Sequence, residues 1–134
     1  MNILIDTHIA VWALNDEPML SPSARDMILD ETNTIYYSII SVWEILLKHQ
    51  KRPGSFPFDE TEFSEFCKRS GFVLLSLTED HLFTVRSLSR DPNIRPHNDP
   101  FDKILLAQAK TEGMLFMTHD SLISGYDETC IISV

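Results

Sequence analysis

Residues 99–120 read Asp-Pro-Phe-Asp-Lys-Ile-Leu-Leu-Ala-Gln-Ala-Lys-Thr-Glu-Gly-Met-Leu-Phe-Met-Thr-His-Asp, and this stretch decides the fold. Asp99-Pro100 is a helix start, an N-cap acid followed by proline at the first helical position. Gly113 is placed to break that helix, and Met114–Thr118 is a short apolar strand closed by a carboxylate. A helix delivered directly into a buried strand is half of a parallel α/β unit. Outward from it the pattern repeats. Asn2–Ile5 is an apolar strand ending at Asp6, and residues 7–14 carry Ile9, Val11, Trp12 and Leu14 at helical spacing. Ser21-Pro22 opens a helix to about Glu31, and Thr34–Ile40 is a β-branched and aromatic strand. Ser41 opens a helix to about Lys51, stopped by Pro53-Gly54. A helix over 59–70, a strand at Phe72–Leu75, a helix from Thr78 to about Leu88 and a last strand at Cys130–Val134 complete the reading. Residues 89–98 hold two prolines and no periodicity, and read as a loop. The expectation is a single α/β domain over residues 1–134, a mostly parallel central sheet flanked by helices.

Composition agrees and narrows the class. The chain has 134 residues, 43% of them hydrophobic and 23% charged, which is one domain of ordinary globular protein. No apolar run reaches the roughly 20 residues of a membrane span, and the opening segment lacks the basic region of a signal peptide. A cytoplasmic protein with no membrane association is expected. Cys67 and Cys130 are too few for a disulfide framework or zinc site and read as reduced, packed thiols. The net charge of −9 speaks against gripping nucleic acid through overall charge, so any such partner requires a local device.

Four acids supply one. Asp6 and Asp120 follow the C-terminal tips of strands, Glu44 lies in the helix after strand 34–40, and Asp102 lies in the first turn of the helix feeding strand 114–118. In a parallel sheet all four positions fall on the edge where α/β proteins bind ligands. Each acid also has a plain structural reading. Ser41-x-x-Glu44 matches a capping box, and Asp99 and Asp102 match an N-cap with a first-turn acid. Crowding carboxylates raises the cost of ionising each of them unless a divalent cation neutralises the set. Hard oxygen ligands without a His/Cys cluster favour Mg²⁺ or Mn²⁺, ions that serve phosphoryl displacement. Lys48 and Lys103 are the candidate phosphate contacts, with Lys51, Arg52, Arg86, Arg90 and Arg95 as further basic positions; each also reads as a solvated face.

The segments Ile3-Leu4-Ile5-Asp6-Thr7-His8, Ser41-Val42-Trp43-Glu44-Ile45, His97–Gly113 and Met117-Thr118-His119-Asp120 together resemble the PIN-domain family, and within it the VapC-type ribonuclease toxins of toxin–antitoxin pairs. The resemblance implies a metal-dependent endoribonuclease acting on RNA, a cognate antitoxin protein, and a homodimer. Carried over by position, the family's acidic quartet falls on Asp6, Glu44, Asp102 and Asp120, as both catalytic and metal-binding residues. Asp99 and Thr118 take supporting roles, and Thr7 either caps the first helix or joins them. Lys103 stands where the family often has arginine, and Lys48–Phe58 departs from the family's more regular pattern. His97 and His119 are expected near the rim facing solvent, with His8 packed on the first helix. Trp12, Trp43, Phe56, Phe58, Phe63 and Phe66 are expected mostly in the core, part of them under an antitoxin helix. The competing reading is a non-catalytic PIN-like module binding RNA or protein. A phosphatase or phospho-receiver is disfavoured, since Asp6-Thr7-His8 lacks a second aspartate.

Overall fold

In the computed structural model, which describes residues 1–95 and 99–134, the strands alternate their side chains between two cores. Strand β1 (Asn2–Ile5) sends Ile3 and Ile5 to one face and Leu4 to the other, and all three are fully buried. Strand β2 (Thr34–Ser38) adds Ile35 and Tyr37 to the first face. Strand β4 (Leu115–Thr118) adds Met117 to the first and Phe116 to the second. Burial on both faces is why these strands read as continuous apolar runs rather than alternating ones. Strands β3 (Val73–Leu75) and β5 (Ile131–Ser133) complete a five-stranded sheet of order β3-β2-β1-β4-β5, every pairing parallel.

The first face is covered by α1 (Thr7–Leu14), α2 (Pro22–Leu29) and α4 (Glu60–Arg69), through Ile9, Ala10, Val11, Ala24, Phe63 and Cys67. The second is covered by α6 (Pro100–Glu112), through Leu105, Leu106 and Ala109, with α5 (Glu79–Val85) packed on α6. Helix α3 (Ile39–Lys51) serves both cores, with Ile45 in one and Ile40 in the other. Local signals fix the ends. Ser21 caps α2, an Asp59/Glu62 capping box opens α4, and Gly113 closes α6 at φ 66°, the left-handed conformation glycine adopts without penalty. Burial pushes the Cys67 thiol up to about 12, which leaves it an inert packing group.

Several boundaries move. Helix α3 begins at Ile39, not Ser41, because Ser38 caps it by accepting from Ile40 N–H at 3.0 Å. Helix α5 stops at Val85 rather than near Leu88, and a short 3₁₀ turn forms at Ile123–Gly125. The strand order reverses between β1 and β4, so the C-terminal tips of these two neighbours form the crevice of the sheet.

Candidate active site

Asp6 follows β1 and is the N-cap of α1. Its Oδ1 accepts from Ile9 N–H at 2.7 Å and its Oδ2 accepts from the Thr118 hydroxyl at 2.6 Å, with the carboxyl 2% exposed. Thr118, at the tip of β4, also accepts from the Asp120 backbone N–H at 3.0 Å. One buried hydroxyl thus ties the ends of both crevice strands together, which is its expected supporting task. Asp120 folds back to accept from Leu122 N–H at 2.9 Å and is half-buried. Asp99 caps α6 by accepting from Phe101 N–H at 2.9 Å, and Asp102 follows in the first turn, 8% exposed. Asp6, Asp99, Asp102 and Asp120 line one cavity of about 300 Å³, with His8, Trp12, Met19 and His119 around them.

The electrostatics of this cavity centre on Asp102. Its carboxyl is pushed up to about 9, first by burial, then by the negative charges of Asp6 and Asp99, a hydrogen bond shared with Asp120, and the charge of Glu44. Asp6 is also raised, by burial against the opposing help of Thr118, the Ile9 amide and His8. Four acids therefore act on one carboxyl. Tyr126, which no sequence signal singles out, is held above the ordinary phenol value by burial, against Arg90 and with Asp102 and Asp120.

Glu44 reaches the same rim by another route. With α3 starting at Ile39 it lies beyond the first turn, and the capping box expected from Ser41-x-x-Glu44 does not form. Its carboxylate is 1% exposed; Oε1 accepts from the Thr7 hydroxyl at 2.7 Å and Oε2 is bound by the Lys48 ammonium. Thr7 therefore supports Glu44, while Asp6 caps α1. Glu44 does not line the aspartate cavity.

The basic candidates separate. Lys48 is spent on Glu44, and Arg90 donates to the backbone carbonyls of Leu122 and Arg95 while lying 5.0 Å over the Tyr126 ring, a clasp on the loop. Lys103 is half-buried beside Asp102, and among the described residues its ammonium makes no ion pair. His8 is exposed, its ring 6.0 Å from Trp12 and 5.9 Å from Phe56, and His119 sits on the cavity wall, 2.5 Å from the Val134 carbonyl. His97 lies outside the described residues. Phe56, Phe58 and Phe63 are core as expected, but Trp43 is 48% exposed on α3, edge-on to Phe101.

Among the described residues, no three His, Cys, Asp or Glu side chains stand arranged to hold a metal ion. The donor chemistry nevertheless suits one. The cavity offers carboxylate oxygens that are buried and mutually repelling, and a hard divalent cation relieves both penalties.

The PIN-domain family model matches residues 3–128. Three solved structures share the fold. VapBC2 from Rickettsia felis, bound to a DNA fragment from its promoter, matches at TM-score 0.69 and 16% identity, over 100% of this chain and 99% of that one. A toxin–antitoxin complex from Klebsiella pneumoniae matches at 0.58 and 15%, over 98% and 96%, and VapBC-1 from nontypeable Haemophilus influenzae at 0.56 and 13%, over 90% and 87%. Among curated proteins none matches the sequence.

Proposed function

The chain belongs to the PIN-domain family, and from that premise we propose that residues 1–134 act as one metal-dependent endoribonuclease domain of the VapC toxin type. The observation that carries the reading is the convergence of Asp6, Asp99, Asp102 and Asp120 on one cavity, where burial and the neighbouring acids push the Asp102 carboxyl up. Such crowding is costly and typical of sites built for charge they do not yet hold. Asp6, Glu44, Asp102 and Asp120 would hold Mg²⁺ or Mn²⁺, with Asp99 and Thr118 in support. Bound there, the ion supplies water activation and charge neutralisation for in-line displacement at a phosphodiester. The protein's own part is orientation. Thr118 fixes Asp6 and the Asp120 backbone in one register, and Asp99 fixes the helix turn that presents Asp102. A hydrogen bond joins Asp102 to Asp120, and both carboxyls would have to be released from it to hold an ion. Lys103 is the cation placed to meet RNA phosphate, in a protein whose net charge of −9 offers little other attraction.

The partners follow from the same reading: an RNA substrate, an antitoxin protein as in the toxin–antitoxin complexes whose fold it shares, and a second copy of the chain. No described helix is long and apolar enough to cross a membrane, and a cytoplasmic location belongs to the toxin reading. The test is cleavage of RNA by purified protein with and without Mn²⁺, beside Asp6→Asn. Cutting that persists in chelator or in the variant refutes the assignment. One observation favours the alternative, a non-catalytic RNA- or protein-binding module: the absence, among the described residues, of a ready cation cage. Failure of Mn²⁺ to bind by calorimetry, with RNA binding intact, decides for it.

A further inference from the structure

The sequence suggests Lys48 as a surface contact for RNA, but its ammonium, on a side chain 40% exposed, is turned onto a buried carboxylate. Its ammonium is bound to Oε2 of Glu44 one helical turn earlier, a carboxylate whose side chain is only 2% exposed. The same ammonium stands 5.9 Å from the Phe56 ring centroid and 5.9 Å from that of Phe101. Phe56 comes from the irregular segment after α3, and Phe101 is the neighbour of Asp102 on α6. Three separate elements thus close around one cation, unlike an exposed i,i+4 pair on an open helix face. The other oxygen of Glu44 is taken by Thr7, whose hydroxyl is also 2.8 Å from Ser41 Oγ. With both oxygens engaged, Glu44 stays off the cavity lined by the four aspartates.

We propose that Lys48 is a positioning residue, a tethered cation that occupies Glu44 and keeps it apart from Asp6, Asp99, Asp102 and Asp120 until a divalent ion displaces it. The inference rests on the nuclease reading of the rim and deepens it. A buried carboxylate that gives up its counter-charge needs another cation or a proton in its place. Glu44 can join the aspartates only by leaving Lys48, so Lys48 competes with an arriving cation for the same oxygen. Metal affinity is set below what the acids alone would give, and the metal-free protein is kept folded.

The test is Mn²⁺ titration by calorimetry on the full chain, read together with thermal unfolding in chelator. Lys48→Met keeps the apolar stem between the two rings and removes the charge. It should bind Mn²⁺ about tenfold more tightly than wild type and unfold at lower temperature without metal, since two unit charges a few ångströms apart are strongly coupled. In a Glu44→Gln background, where the contested oxygen is no longer charged, the same substitution should change Mn²⁺ affinity by about threefold or less. Lys48→Arg keeps the charge and should hold wild-type stability. Unchanged Mn²⁺ affinity in Lys48→Met overturns the proposal, as does a variant that fails to fold even with Mn²⁺ present. Unchanged metal affinity with weakened RNA binding would make Lys48 a substrate contact instead. Absence of Mn²⁺ binding by the wild type is a separate result, and it removes the nuclease reading itself.

Discussion

Replacing Asp102 by asparagine should stabilise the metal-free protein, because folding forces this carboxyl to keep a proton that the unfolded chain releases. Its folded value is about 9, raised by burial first and by Asp6, Asp99, Asp120 and Glu44 after that, against an ordinary 3.8. A group raised on folding contributes its full stability below the unfolded value and loses it as pH climbs toward the folded one. At pH 7 the native state still holds a proton that the unfolded chain has released. At about 1.4 kcal/mol per pH unit, the penalty accumulated between 3.8 and 7 is about 4 kcal/mol. Asparagine never ionises and keeps an N–H₂ donor toward Asp120, so a gain of about 2–4 kcal/mol is expected, roughly 6–12 °C in Tm. The assay is urea unfolding of both proteins in chelator across pH 4–9. Their stability difference should be near zero at pH 4 and should widen with each unit, levelling off near pH 9. A difference that stays flat, or a variant less stable than wild type at pH 7, refutes the electrostatic account of the rim.

Other consequences are open to direct measurement. Thr118→Val removes the 2.6 Å hydrogen bond to buried Asp6 and should cost about 1.5–3 kcal/mol by denaturant unfolding, with Thr118→Ser recovering most of it. Phe63→Ala, at a fully buried ring edge-on to Tyr37, should cost about 3–5 kcal/mol. Gln108→Leu removes the acceptor, 2.5 Å away, to which the buried Ser38 hydroxyl donates and should cost about 1–3 kcal/mol, read as a lower Tm. Saturating Mn²⁺ should raise the Tm of wild type, by about 2.7 kcal/mol of stability at a hundredfold excess over Kd, and should not raise that of Asp6→Asn equally.

The rim was legible because topology alone places it. Once parallel strands are inferred, the residues after β1 and β4 and at the start of α6 share one edge, and Asp6, Asp120 and Asp102 follow from that. The helix caps at Ser21, Thr78 and Asp99 were legible for a similar reason, being local exchanges between a side chain and the next turn. What was not legible depends on contacts across the chain. Ile39 and Ile40 continue a β-branched run and read as strand, yet they open α3, because the helix is anchored by Ser38 and by packing on both cores. That shift dissolves the Ser41–Glu44 box and hands Glu44 to Thr7 and Lys48. Arg90 reads as a free cation, and only the placement of Tyr126 and Leu122 reveals it as a clasp. The PIN-domain resemblance was carried by motifs in the right order across the chain, and the family match over residues 3–128 and the parallel sheet agree with it.

The Thr118–Asp6 hydrogen bond spans 112 positions of sequence. During translation the opening strand, with Asp6, emerges long before its neighbour β4 exists. A fragment that stops short of β4 therefore carries Asp6 without the hydroxyl that braces it, and the crevice between the two strands forms only once both have been made.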